Sequence, residues 1–131
     1  MRVVLLRIGM PQTHAIGGMQ VHTGSIKASV DAAMLRFDGF ERDGQADRKH
    51  HGGRDRTACL YPAEHYAWWK ATHGVDLPYG AFAENLTVEG AREAEICIGD
   101  IFRVGDARLQ VTLPRDPCRT LDRINERPGL A

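Results

Sequence analysis

The sequence predicts an α+β fold, a single mostly β domain with one or two short helices, whose strands roll into a barrel. Two observations indicate this class. Short apolar runs rich in β-branched residues recur along the chain, and glycine or proline ends them. One stretch alone carries clear start and stop signals for a longer helix. With 131 residues, the chain is long enough to bury a core without disulfides or a structural metal.

The strands are predicted from these apolar runs and from turn residues. The run VVLLRI at 3–8 is a buried first strand that ends at Gly9. The segment 101–112 predicts a hairpin, because apolar residues alternate on both sides of Gly105-Asp106, a pair that fits a two-residue type II′ turn. Further strands are expected at 24–30, 33–37 and 57–61.

The segment 62–74 predicts the main helix. Pro62 suits a first helical position, Glu64 complements the positive end of the helix dipole, and Gly74 marks the C-terminal stop. A shorter closing helix is expected directly after Pro117.

Composition argues against several classes of function. Lysine and arginine total 17 and are balanced by 17 acidic residues, and no basic stripe indicates nucleic-acid binding. The apolar N-terminal run is too short for a signal peptide or a membrane span, so we expect a cytoplasmic protein that contacts no membrane. Three cysteines, an odd number, do not predict a disulfide framework.

The three cysteines differ in context. Cys59 and Cys97 lie within apolar runs and are expected to be small buried hydrophobic residues. Cys118 follows two prolines in LPRDPCRTL, between Arg115 and Arg119, where a helix is predicted to start. Positive charge and a helix N-terminus both favour the thiolate, which is a nucleophile or a soft-metal ligand. The alternative is a partly buried thiol in a turn.

Two polar segments could also hold a ligand. The charged stretch 37–56 lacks apolar periodicity, and a loop of this length is usually functional or disordered. Within it, DRKHHGG at 47–53 could bind an anion through imidazole and backbone amides, or a divalent metal through Asp47 and a histidine, or its histidines could simply be solvated. Asn85 could recognise a heterocycle or could satisfy turn backbone.

Four segments stand in the order found in MOSC domains: GFERDGQADRKHHGGRDRTACLYPAEHYAWW, GAFAENLTVEG, ICIGDIFRVGDARLQV and PRDPC. The chain therefore resembles the MOSC family, named for the C-terminal domain of molybdenum cofactor sulfurases, and within it the small bacterial YiiM-like proteins. The resemblance covers nearly the whole chain. It implies one MOSC domain over residues 1–131, a β-barrel fold and a site for the molybdenum cofactor (molybdopterin).

The resemblance implies a role for each matching residue. Cys118 falls on the hallmark cysteine and would be the catalytic thiolate that coordinates molybdenum. Asp47 and the block His51-Gly52-Gly53 fall on positions that would meet the pterin or its phosphate. The other implied cofactor-binding residues are Lys27, Arg56, Asn85 and Arg115.

The chain also departs from the family pattern. Arg42 and Ala83 stand where relatives have glycine, Arg119 stands where they have tryptophan, and Arg56 stands where they have lysine. Arginine in place of glycine is costly if position 42 needs a positive φ. YiiM-like proteins continue beyond the end of this chain, so we expect a short form or a fragment. In a fragment, a second copy could cover an unpaired sheet edge and form a homodimer.

Three functions are compatible with the resemblance. The first is a reductase of N-hydroxylated compounds, which takes electrons from a separate reductase because no nicotinamide or flavin motif is present. The second is a non-catalytic carrier of the cofactor, or of sulfur as a Cys118 persulfide. The third, a truncated domain that only makes protein contacts, does not account for the retained Asp47, His51, Asn85 and Arg115.

Overall fold

The computed structural model describes residues 1–131 and contains mostly strands with three short helices. No helix is both long and apolar enough to cross a membrane. In chain order, the elements are β1 (Arg2–Ile8), β2 (Gln12–Ile16), β3 (Met19–Thr23), β4 (Ala28–Ser29), β5 (Leu35–Arg36), β6 (Gly39–Phe40), α1 (Arg48–His51), β7 (Leu60–Pro62), α2 (Ala63–His73), β8 (Leu86–Glu89), β9 (Ile101–Val104), β10 (Ala107–Gln110) and α3 (Arg119–Ile124). A 3₁₀ turn at Arg54–Arg56 lies between α1 and β7.

A four-stranded sheet in the order β4-β1-β8-β7 forms the centre of the molecule. The predicted first strand is confirmed as β1, which pairs antiparallel with β4 and β8, while β7 runs parallel to β8. Since β8 has neighbours on both edges, its side chains Leu86 and Val88 are almost fully buried. They form the main hydrophobic cluster with Ile8, Phe40 and Ala91.

The other six strands form three separate two-stranded ladders, β2–β3, β5–β6 and β9–β10. The predicted mixed, mostly β fold is therefore confirmed, but the barrel expectation needs correction, because no closed barrel is formed. The physical reason is that the backbone ladders of these three hairpins do not join the ladder of the central sheet.

The hairpin β9–β10 has the predicted turn. Gly105 has φ 59° and Asp106 is not in the left-handed region, which fits a type II′ turn. The side chains alternate as the pattern indicates. Phe102, Val104, Ala107 and Leu109 are half-buried, while the residues between them are exposed.

The hairpin β2–β3 was not predicted from the sequence. Its turn is Gly17-Gly18, and both residues have positive φ, 54° and 76°, as a type I′ turn requires. Apolar and polar residues alternate over Met19–His22 in β3, so this alternation and the Gly17-Gly18 pair were the signals that could have identified the hairpin.

The main helix begins one residue later than predicted. Pro62 is the N-cap of α2 rather than its first helical residue, because its ψ of 131° keeps it extended as the last residue of β7. Gly74 ends the helix in the left-handed conformation, φ 66°, and its N–H donates to the Lys70 carbonyl. Tyr66 is the large buried side chain of this helix.

The expected burial of Cys97 is wrong. This residue is exposed in a turn, where its N–H donates to the Asp100 carboxylate at 2.8 Å. The turn residues Gly99 and Asp100 interrupt the apolar run that suggested a strand. Cys59 is half-buried, directly before β7.

Candidate functional site

A cavity of about 1370 Å³ lies between the segment 22–27, the loop after β6, the strand β7 and the segment 111–118. It is larger than a typical small-molecule pocket of about 300–1,000 Å³. Six of the predicted site residues line it: Lys27, Asp47, His51, Asn85, Arg115 and Cys118. The remaining three, Gly52, Gly53 and Arg56, lie outside its wall.

Cys118 is presented to this cavity by a rigid turn. It is the N-cap of α3, with extended backbone (φ −136°, ψ 159°), and its carbonyl accepts the N–H of Leu121 at 2.9 Å. Pro114 and Pro117 restrict the backbone that leads to it. The half-buried thiol makes no hydrogen bond. An uncommitted thiol in a cavity wall is available as a nucleophile or ligand.

Arg115 joins this turn to the loop that contains Gly52 and Gly53. Its guanidinium donates to the carbonyl of Arg56 at 2.7 Å and to the carbonyl of His51 at 3.4 Å. The hydroxyl of Thr112 donates to the carbonyl of Asp55 at 2.7 Å and so adds a second link. The structure therefore brings His51, Arg115 and the Cys118 turn together, with the guanidinium occupied by backbone carbonyls.

The loop residues 47–53 mainly organise their own backbone. Asp47 caps α1, because its carboxylate accepts the N–H groups of Lys49 and His50 and the ring N–H of His50 at 2.7 Å. The His50 contact holds the pKa of Asp47 below its usual value. Gly52 has φ −97°, and a Cβ there would lie 2.6 Å from the Arg48 carbonyl, so close packing requires the glycine. Gly53 is exposed, with φ 105°.

A buried polar network lies behind the cavity. Lys27 forms an ion pair with Asp43, and their side chains are only 6% and 2% exposed. Asp43 also accepts the N–H of Gly9 at 2.8 Å and the amide of Asn85 at 2.9 Å. The Asn85 amide donates its other hydrogen to the Arg7 carbonyl, and its oxygen accepts the N–H of Cys59 at 3.0 Å. Both amide hydrogens of Asn85 thus bind within the protein.

Sequence reasoning missed Asp43, which completes this network. Its only signal was the position of a carboxylate beside Gly44, in the polar loop that was expected to be functional. Nothing local in the sequence indicates that Gly9, Lys27 and Asn85 converge on it.

Sequence reasoning also missed an aromatic wall of the cavity, formed by Tyr61, Trp69 and Phe82. The Tyr61 and Phe82 rings stack with centroids 4.2 Å apart and an interplanar angle of 15°. The Trp69 ring lies 5.9 Å from Phe82 at 27°, and its indole N–H donates to the Tyr61 hydroxyl at 3.2 Å. Burial raises the pKa of Tyr61 to about 12, so its hydroxyl is neutral near pH 7.

Several cationic side chains line the cavity without an ionic partner. Arg54 and Arg108 form no ion pair, and the Arg54 guanidinium lies 4.4 Å from the centroid of the Phe37 ring. Cys59 also lines the cavity, and burial raises the pKa of its thiol. No group of three or more histidine, cysteine, aspartate or glutamate residues is placed to hold a metal ion.

The chain is similar to known proteins in both sequence and fold. The family model described as MOSC domain matches residues 47–131, which include the loop, the aromatic wall and Cys118. The chain belongs to the MOSC domain family. A crystal structure of YiiM from Geobacillus stearothermophilus has the same fold, with a TM-score of 0.71 and 32% identity, covering 98% of this MOSC chain and 58% of that one.

Two curated relatives of this MOSC chain are also similar over most of its length. YflK of Bacillus subtilis is 45% identical over 117 residues, which are 88% of this chain and 53% of YflK. A protein named Reductase from Gibberella moniliformis is 37% identical over an alignment of 128 positions, which covers 89% of this chain and 21% of that protein. The chain thus spans about half or less of the length of these relatives.

Proposed function

We propose that this MOSC domain binds a molybdenum cofactor in the cavity, with Cys118 as a ligand of the metal, and reduces N-hydroxylated compounds. The observation that carries the proposal is the Cys118 thiol, which makes no hydrogen bond in the wall of a cavity of about 1370 Å³. The name of the fungal relative, Reductase, supports the class of reaction. In such a reaction, two electrons and two protons convert N–OH into N–H and water.

The residues of the cavity fit such a group. A thiolate is a soft ligand suited to molybdenum, and the unpaired guanidinium of Arg54 can attract an anionic phosphate. The volume exceeds that of a typical small-molecule pocket, so a cofactor and a substrate have room together. When bound, the cofactor would supply the two-electron chemistry, as cofactors generally do in redox enzymes.

The protein's own residues have three tasks in this proposal. Cys118 holds the metal from a turn that Pro114 and Pro117 stiffen. Arg115 positions this turn against the loop through the His51 and Arg56 carbonyls, so it acts on Cys118 indirectly. Asp47 and Asn85 are proposed to support the cofactor site by fixing local backbone, since their polar atoms bind protein groups.

The aromatic wall supports a flat substrate. Tyr61, Trp69 and Phe82 offer ring surface to a heterocycle, and stacked rings are worth about 0.5–1.5 kcal/mol beyond simple burial. An N-hydroxylated purine combines a flat ring with the reducible N–OH group and is therefore the substrate to test first.

The test compares the metal content and the activity of three proteins made in cells that synthesise the cofactor. These are the unmodified protein, Cys118→Ser, and the control Cys97→Ser, which removes an exposed thiol outside the cavity. Mass spectrometry should find molybdenum near one per chain in the unmodified protein and the control, and almost none in Cys118→Ser. With dithionite-reduced methyl viologen, only the proteins that hold molybdenum should reduce hydroxylaminopurine.

Three other outcomes would change the assignment. Molybdenum without turnover would contradict the reductase and favour a cofactor carrier. A persulfide on Cys118, detected by intact mass, without molybdenum in any of the three proteins would favour a sulfur carrier. The same molybdenum content in all three proteins would remove Cys118 from the metal site.

A further inference from the structure

The outer face of the hairpin β9–β10 carries two arginines directly opposite each other. The strands pair with Arg103 facing Arg108, and both side chains are exposed. Ile101 and Gln110, the next partners on that face, are exposed as well. We call these four residues the arginine face of the hairpin. The four residues on the opposite face are half-buried, so this hairpin has one outer surface.

The opposed pair of arginines lowers the stability of the hairpin. Like charges at directly opposed cross-strand positions destabilise a ladder, and neither Arg103 nor Arg108 has a carboxylate within ion-pair distance. The acidic residues at the ends of the hairpin do not compensate. Asp106 lies in the turn without an ion pair, and Asp100 accepts the N–H of Cys97.

The same face has the other features of an interface. Ile101 is 60% exposed, and Ile98, in the turn before β9, is 70% exposed. Arginine is enriched at protein–protein contact surfaces, and the buried centre of such a surface is more apolar than its rim. Arg108, Gln110 and Ile98 also line the cavity that contains Cys118, so the face borders its opening.

We propose that the arginine face docks an acidic electron-donor protein, one that carries a flavin or an iron–sulfur centre. This inference rests on the proposed function, which requires two electrons for each N–OH group that is reduced. The donor becomes oxidised by two electrons in total, and water supplies the two protons that leave in the products. Docking at this face places the donor at the rim of the cavity, beside the site of reduction.

An acidic protein fits this surface better than a nucleic acid does. The whole chain has equal numbers of basic and acidic residues, 17 of each, and long basic stripes are what nucleic-acid binding requires. Two arginines with isoleucines on a short flat hairpin match a small patch of carboxylates with an apolar centre. Complementary charges of this kind mainly raise the association rate, and salt weakens them.

The experiment measures the reduction of hydroxylaminopurine by the cofactor-loaded protein with two electron donors. One donor is reduced flavodoxin, an acidic flavin protein, and the other is reduced methyl viologen, a small molecule that needs no docking surface. The variant R103E, which keeps the cavity-lining Arg108, is compared with R123E, which changes the net charge equally at another exposed arginine. Neither Arg103 nor Arg123 lines the cavity. Thermal melting verifies that both variants are folded.

We expect kcat/KM for flavodoxin to fall at least about fivefold in R103E at about 20 mM salt, where screening is weak. The control variant should stay within about twofold of the unmodified protein. Raising the salt to about 300 mM should remove most of the difference, and turnover with viologen should change little in either variant.

The outcomes separate the two proposals. Viologen turnover in every variant, with flavodoxin turnover unaffected by R103E or reduced equally by the control, would overturn the docking surface alone. No viologen turnover in the unmodified, molybdenum-loaded protein would overturn the proposed reductase and the electron-transfer role of this face. If single-stranded DNA competes with flavodoxin at equimolar concentration, the face is a general polyanion site, which contradicts docking of a specific donor.

Discussion

Three residues other than glycine have the positive φ that favours glycine, and two of them are Arg42 and Ala83, both with φ 60°. These are the two positions where the resemblance to MOSC domains implies glycine. The left-handed region costs a residue with a Cβ about 1–2 kcal/mol, whereas glycine enters it freely. The side chains of Arg42 and Ala83 therefore strain the backbone at these two positions.

We expect Ala83→Gly to raise the free energy of unfolding by about 0.5–1 kcal/mol, because it relieves more strain than the extra flexibility of glycine costs. Ala71→Gly is the matched control. It makes the same chemical change on the exposed side of α2, and we expect it to lower stability by about 1 kcal/mol. Urea denaturation measures both, and a loss of stability in Ala83→Gly would contradict the strain.

At the scale of single residues, the sequence indicated candidate site residues but not their contacts. It indicated Cys118 from its proline turn and marked position 42 as one where a positive φ would matter, and the structure has both features. The partners of Asn85 and Arg115 could not be predicted. Their side chains form hydrogen bonds to groups that lie between 26 and 78 residues away in the sequence, and only the fold brings these groups close.

At the scale of elements, the effect of Arg108 on the stability of the hairpin β9–β10 can be measured apart from its proposed role in docking. Replacing one arginine, Arg108→Glu, turns a repulsive cross-strand pair with Arg103 into an attractive one. We expect the free energy of unfolding to rise by about 0.5 kcal/mol. The conservative change Arg108→Lys keeps the repulsion and should leave stability nearly unchanged.

Thermal and urea unfolding of these two variants tests the pair directly. A fall in stability for Arg108→Glu would mean that the arginine makes a favourable contact within the fold. In that case the two like charges would no longer need a functional explanation.

The elements that were predicted correctly carry strong local signals. The strand β1 and the helix α2 have continuous apolar or capping patterns, and the turn of β9–β10 has its glycine in the required place. The strands expected at 24–30 and 33–37 are much shorter in the structure, where only two residues of each form β4 and β5. The strand β6 was not predicted, because two residues show no periodicity. Local sequence patterns also cannot predict whether a barrel closes, because closure depends on which strand edges form hydrogen bonds with each other.

At the scale of the whole molecule, the Lys27–Asp43 pair joins the first third of the chain to the central sheet through Asn85. We expect Lys27→Met to cost about 3–5 kcal/mol, because it leaves a buried carboxylate without its charge partner. The double change Lys27→Met with Asp43→Asn should cost clearly less. Removing both charges avoids the unpaired one.

The control for this pair is Lys70→Met, which breaks the exposed contact with Asp76. Such surface pairs contribute about 0–1 kcal/mol. Urea denaturation compares the three proteins with the unmodified one. Equal losses for Lys27→Met and Lys70→Met would show that the Lys27 charge contributes no more than a surface charge.

The raised pKa values of two tyrosine hydroxyls predict that the protein loses stability in alkali. Burial raises the pKa of Tyr61 from 10.0 to about 12, and burial together with the nearby Glu84 carboxylate raises the pKa of Tyr66. The native state therefore holds these protons more tightly than the unfolded chain. Their contribution is complete below about pH 10 and is lost as the pH rises through the folded-state values.

Tyr61→Phe should make this alkaline loss shallower, because it removes one of the titrating groups. Tyr79→Phe, which removes an exposed hydroxyl, is the control. The free energy of unfolding measured between about pH 9 and pH 11.5 gives the slopes. The same slope in Tyr61→Phe as in the unmodified protein would contradict a tightly held proton.

The family match and the folding unit do not coincide. The match begins at residue 47, yet β1, which lies between β4 and β8 in the central sheet, comes before it. A gene segment cut at the boundary of the match would encode Asn85 without Arg7 and Asp43, its acceptors, and would expose one edge of β8. The segment that can be transplanted as a folding unit is therefore longer than the part of the chain that the family match covers.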